Sequence, residues 1–130
     1  MTTDLWMLVL SAVLCLVLPL PYLVARATTP GGAVWGLGNR EEDFRFPAWA
    51  GRAERAHRNL VENLAPFAIL VLVAQLTGRA NASTALGAEL FFWGRVLHAL
   101  AYIAGVIYVR TAMFIIAIIG EILIFRQLLH

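Results

Sequence analysis

Two short polar runs interrupt long apolar stretches of this chain, and both are built from groups that hold anions. The first contains Arg55, Arg58, Asn59 and Glu62, directly ahead of the apolar run Leu64 to Ala74. At about 100° per residue these four positions fall within an arc of roughly 100° on a helix. The second contains Arg95, His98 and Tyr102, whose spacings of three and four gather them within about 60°. Guanidinium groups grip carboxylates and phosphates through paired N–H donors, and a neighbouring carboxylate can receive an ammonium. Arg55, Arg58, Arg95 and Arg110 stand against Glu62 as the one carboxylate on these faces, with Glu54 expected to point elsewhere. A charged side chain at mid-membrane costs about 2.5 to 3.5 kcal/mol on insertion scales. Such groups need partners or water, and a surplus of fixed positive charge calls for an anion from outside. Two plainer readings stand beside this one: pairing with carboxylates inside the bundle, and arginines near helix ends reaching for headgroups.

The elements that carry these faces are apolar helices. The chain has 130 residues, 61% hydrophobic and only 14% charged, with a mean hydropathy of +0.77. A soluble domain of this size keeps too much surface in water to hide that many apolar groups, so lipid is the expected solvent. Four spans are predicted, at about 4–27, 49–77, 83–109 and 111–129, each near the roughly 20 residues a crossing requires. Together they make a single transmembrane domain, an all-α, up-down-up-down four-helix bundle. Pro19 and Pro21 predict a kink in the first span. That span has no basic head before it, so it is expected to be retained and not cleaved as a signal. The segment 28–48 reads as the one long loop, Gly78 to Thr84 as a turn, and the connection between the last two spans as a tight one near Arg110.

Charge sets the expected orientation. All ten basic residues are arginine, and Arg26, Arg40, Arg45, Arg52, Arg55, Arg58 and Arg110 lie at one end against Arg79 and Arg126 at the other. Loop 28–48 is therefore expected to be cytoplasmic and both termini not. A net charge of +2 gives no nucleic-acid footprint. The single cysteine, Cys15, excludes a disulfide within the chain and reads as a small apolar residue. His98 lacks Cys or carboxylate neighbours at metal-ligand spacing, so no metal is expected. His57 is expected to point away from the polar face toward headgroups or loop. Glu89 and Glu121 lie inside spans without a nameable partner; Arg126, five positions beyond Glu121, is a poor match within one helix. Trp6, Trp35, Trp49 and Trp93 read as membrane-boundary aromatics.

The run from Glu54 through Arg55, Arg58, Asn59 and Glu62 to Pro66 and Phe67 resembles the second-helix signature of the membrane-associated proteins in eicosanoid and glutathione metabolism. Gly94, Arg95, His98 and Tyr102 resemble the third-helix signature of that family, nearest its microsomal prostaglandin E synthase and glutathione transferase branches. The resemblance covers all four spans in order. It implies trimers of four-helix subunits with glutathione bound between neighbours near the cytosolic side. It further implies that Arg55, Arg58, Asn59 and Glu62 hold glutathione, that Arg95, His98 and Tyr102 complete the pocket, and that Arg26 contributes from the first span. Arg110 and Thr111 occupy about the place of the family's thiolate-stabilising arginine. The loop from Asn39 to Trp49 is longer than expected for mammalian members and resembles bacterial ones, which implies a bacterial inner membrane as the location.

The chemistry implied is that of a glutathione-dependent transferase or peroxidase acting on lipophilic electrophiles that arrive from membrane lipid. A free thiol is mostly protonated at neutral pH, and a nearby guanidinium favours its thiolate by charge and hydrogen bonding. A non-catalytic lipid-binding or scaffold member of the same fold, and a small anion-conducting membrane protein, are the alternatives.

Overall fold

The computed structural model describes residues 1–130, all helix and connecting turn. Six helices follow one another: α1 (Thr3–Val17), α2 (Pro19–Thr28), α3 (Gly32–Leu37), α4 (Ala48–Leu76), α5 (Ala82–Ala104) and α6 (Ile107–Leu128). α1 and α2 form one kinked rod, so four rods run in alternating directions as an up-down-up-down bundle. Three of them, Thr3–Thr28, α4 and α6, are long and apolar enough to cross a membrane. The 23-residue α5 has the length but not the mean apolarity, because it carries Glu89, Arg95 and His98. It holds more buried residues than any other helix and contacts α1, α4 and α6.

The kink falls at the prolines. α1 ends at Val17 and α2 begins on Pro19; neither Pro19 nor Pro21 has an N–H to continue the ladder. Pro66 sits inside α4 without ending it, and its missing donor leaves the Glu62 carbonyl without a helical partner. α5 starts on a capping box. Asn81 Oδ1 accepts from the backbone N–H groups of Ser83 (2.8 Å) and Thr84 (3.2 Å), while Thr84 Oγ1 accepts from Asn81 N–H (2.8 Å).

Two expected connections are corrected. The segment 28–48 is not wholly loop: Gly31, in the left-handed region at φ 77°, opens the short α3, and the Trp35 indole N–H donates to the Glu42 carbonyl at 2.5 Å. The break between the last two rods lies at Gly105–Val106 and not near Arg110. Gly105 takes φ 81° and its N–H returns to Tyr102 O, while Val106 N–H returns to Ala101 O at 2.9 Å. Arg110 therefore stands inside the first turns of α6.

α5 and α6 pack as a close hairpin, because glycine and alanine line their contact. A Cβ added to Gly87 would lie 2.5 Å from the Gly120 carbonyl oxygen, and one added to Gly94 would lie 3.0 Å from Met113 O. Where lipid supplies no hydrophobic drive between helices, such close backbone approach is what associates them. α4 crosses α5 through the fully buried Phe67 and Phe91, whose rings stack at 3.8 Å and 11°. That stack sets the register, and one helix end further Arg52 Nε donates to Ile103 O at 2.9 Å. Gly120→Leu is expected to lower stability by about 1–3 kcal/mol through overpacking, read as a lower melting temperature in detergent. Ile119→Leu, on the exposed face of the same helix, should leave it unchanged.

Candidate functional site

The register of α4, α5 and α6 gathers the polar faces at one end of the bundle. A cleft of about 250 Å³ is lined by Asn59 from α4, His98 and Tyr102 from α5, and Arg110, Thr111 and Phe114 from α6. His98 lies six residues before the end of α5, or about 9 Å along its axis, so the cleft is near the bundle end and not at its centre. No carboxylate lines it. Tyr102 stands between two cations: the Arg110 guanidinium is 4.5 Å from its ring centroid and that of Arg55 5.9 Å. The electron-rich face of the ring attracts both without removing either charge. The ring of His98 meets Tyr102 edge-on at 5.5 Å and Phe114 at 6.2 Å.

Arg95 lies one layer beneath. It is 1% exposed, donates through Nη2 to Asn59 Oδ1, and holds its guanidinium 5.7 Å from the Phe114 centroid. Its Nε and Nη1 have no hydrogen-bond partner. Asn59 is thus fixed on one side by a buried cation and faces the cleft on the other. Arg95 supports the cleft wall without itself lining it.

Arg55, Arg58 and Glu62 continue along the exposed face of α4. Arg58 has 67% of its side chain exposed and only a long contact, 3.8 Å, with Glu54. Glu62 makes no ion pair, and the two ion pairs of the chain both use Glu54. Glu54 lies off the cleft wall, on the side of α4 that meets the first rod, and binds Arg26 at 2.6 Å. Arg26 is consequently held apart from the cleft, in a box of Tyr22, Trp35 and Phe46 at 5.0, 5.7 and 5.3 Å. A second opening of about 350 Å³ at the bundle end is lined in part by Arg26, Arg52, Glu54 and Arg55. Arg55 borders both.

The expected direction of His57 is corrected. It turns into the bundle, where Nδ1 shares a 2.9 Å hydrogen bond with the Tyr22 hydroxyl and Nε2 lies 3.9 Å from Cys15 Sγ. Phe114 was not singled out from sequence, although its spacing of four from Arg110 and three from Thr111 places it on their face. Trp35, expected only as a membrane-boundary aromatic, also forms a wall of the Arg26 box. Glu121 has no ion pair with Arg126 or any other residue.

This much cationic surface beside one uncommitted carboxylate, carried on apolar rods, has a match in sequence. The sequence model of the MAPEG family fits residues 5–130. The chain belongs to the MAPEG family. No curated protein matches it. MAPEG membership, together with three membrane-length apolar helices, makes this a membrane protein and points to glutathione- or eicosanoid-related function.

The Arg26–Glu54 pair is partly buried, at 15% and 33% side-chain exposure, so it lies between surface pairs and buried ones in worth. Glu54→Gln should destabilise the MAPEG bundle by about 1–3 kcal/mol, because Arg26 then loses its counter-charge. Arg58→Ala should cost under about 0.5 kcal/mol. Detergent melting curves of the two variants distinguish these outcomes.

Proposed function

We propose that the protein is a glutathione-dependent transferase or peroxidase that modifies lipophilic electrophiles in a bacterial inner membrane, acting as a trimer. The observation that carries this reading is a polar cleft at the bundle end that Arg110 lines and no carboxylate does. Around it, Arg55 and Arg110 rest on a neutral ring, Arg95 bonds a neutral amide, and Arg58 is largely exposed with only a long contact to Glu54. The donor set suits a ligand with two carboxylates and one ammonium. Arg55, Arg58 and Asn59 would hold carboxylate oxygens, Glu62 the ammonium, and His98 and Tyr102 the peptide groups between. Arg95 would act through Asn59, and Arg26 is reserved for a ligand that reaches the second opening. Loop 28–48 would face the cytoplasm and the two termini the other side.

Glutathione, when bound, supplies a thiolate as nucleophile or reductant. Arg110 would hold that thiolate. Its guanidinium lies over Tyr102 on the wall of the cleft, beside Thr111, and a positive charge and N–H donors favour the deprotonated sulfur without accepting its proton. Phe114 closes the inner wall against water, and the apolar seam below it gives access from lipid. This arrangement brings a water-soluble thiol and a lipid-soluble partner to one place.

Calorimetric titration of the detergent-purified protein with glutathione tests the pocket. Binding should weaken at least tenfold in Arg58→Ala and in Glu62→Ala, corresponding to loss of one charge-assisted contact of about 1.5–3 kcal/mol. Absence of binding by the wild type would remove the reading. Arg110→Ala should keep most of the affinity, lose the ultraviolet absorbance of the bound thiolate, and slow conjugation of a generic electrophile roughly 100-fold. Unchanged turnover would take Arg110 out of its role. Thiol-independent anion flux in liposomes would favour a conducting protein instead.

A further inference from the structure

Arg95 carries a full charge into the bundle on few contacts. Only its Nη2 is engaged, on Asn59 Oδ1, while Nε and Nη1 are buried without a hydrogen bond. An amide oxygen and the Phe114 ring stabilise a guanidinium, yet neither matches an opposite charge in offsetting its burial. The chain buries two carboxylates, Asp4 and Glu121. Asp4 stands in the first turn of α1, whose cap Thr2 meets Gln75 at the far end of α4. Glu121 lies on α6, the neighbour of α5, and its Oε1 is likewise buried without a partner.

The hairpin sets these two residues toward each other. A Cβ added to Gly94 would lie 3.1 Å from Ala117 N, and one added to Gly120 would lie 2.9 Å from Phe91 N. Arg95 and Glu121 are the next residues along each helix, and both fall on the flank that α4 covers, Arg95 against Asn59 and Glu121 beside Pro66. Side chains incline toward the N-terminus of their own helix. Because α5 and α6 run antiparallel, Arg95 leans toward the Phe91 layer and Glu121 toward the Ala117 layer, so the two converge. Their charges act on each other across this contact without forming a direct ion pair. We infer that Glu121 is a positioning residue of the cleft: as the charge partner of Arg95 it holds that guanidinium against Asn59, and so fixes which end of the Asn59 amide meets a ligand. An arginine only donates, so Asn59 must turn its oxygen to Arg95 and its NH2 group to the cleft. The wall then presents N–H donors suited to a carboxylate. Without the attraction of Glu121, Arg95 would shift toward the cleft and its water, and the amide would be free to turn over.

This inference deepens the proposed function and rests on that reading for its ligand, glutathione, though not for the orientation of Asn59. Two readouts on the detergent-purified protein keep them apart. One is the side-chain amide resonance of Asn59 in protein with isotope-labelled asparagine, identified by its loss in Asn59→Ala. The other is calorimetric titration with glutathione. Glu121→Gln, which keeps the shape and removes the charge, should move that resonance and weaken glutathione roughly fivefold. Glu121→Asp, which keeps the charge, should restore most of both. In an Arg95→Met background, adding Glu121→Gln should weaken glutathione no further. An unmoved resonance in Glu121→Gln, a moved one with unaltered affinity, or an equal loss with and without Arg95 would overturn the inference. So would a loss that Glu121→Asp fails to restore, because the side chain would then act by its shape alone. A wild type that does not bind glutathione, while the Asn59 resonance still answers to the charge at Glu121, would discard the glutathione reading and keep Glu121 in its role.

Discussion

Everything at the polar end of this bundle follows from holding guanidinium groups where bulk water is scarce without cancelling their charge. An arginine cannot escape the cost by losing its proton, so each must find donor-compatible surroundings. Only Arg26 receives a close carboxylate, Glu54 at 2.6 Å. The others are stabilised by groups that leave the charge intact: an amide oxygen for Arg95, a backbone carbonyl for Arg52, the face of Tyr102 for Arg55 and Arg110. Partners of this kind stabilise a cation without neutralising it, so the cleft keeps its attraction for an incoming anion.

That arrangement constrains the scaffold. Arg95 can sit fully buried only if Asn59 meets it across the α4–α5 contact, and the Phe67–Phe91 stack fixes that alignment. Arg110 can reach Tyr102 only because Gly105 turns the chain sharply and α6 returns close against α5. The close approach at Gly87, Gly94 and Gly120 is therefore connected to the site: it brings Phe114 and Arg110 to the ring of Tyr102. Sequence patterning, helix packing and chemistry meet in this hairpin.

Much of this was legible in the residues. Local spacing placed Asn59, His98 and Tyr102 on inward faces, Pro19 and Pro21 marked the kink, and apolar length gave the rods. What escaped was non-local or conformational. The spacing sets Glu54 off the polar face but cannot name its partner, Arg26, which lies 28 residues earlier. His57 looked like a headgroup residue until the kinked first rod delivered Tyr22 and Cys15 to it. Gly105 was hidden because glycine in an apolar stretch reads equally as a packing residue, and only its positive φ makes it the turn. The α3 helix is six residues long and rests on the contacts of Trp35 with Phe44, Phe46 and Arg26, which no periodicity reveals.

The most direct measurement is a comparison of two ligands on the unaltered protein: glutathione, and glutathione with both carboxyl groups esterified. If unneutralised arginines are what the site offers, esterification should weaken binding at least 100-fold, the loss of two charge-assisted contacts of about 1.5 kcal/mol each. Equal affinity for the two would mean that the guanidinium groups serve the bundle and not a ligand.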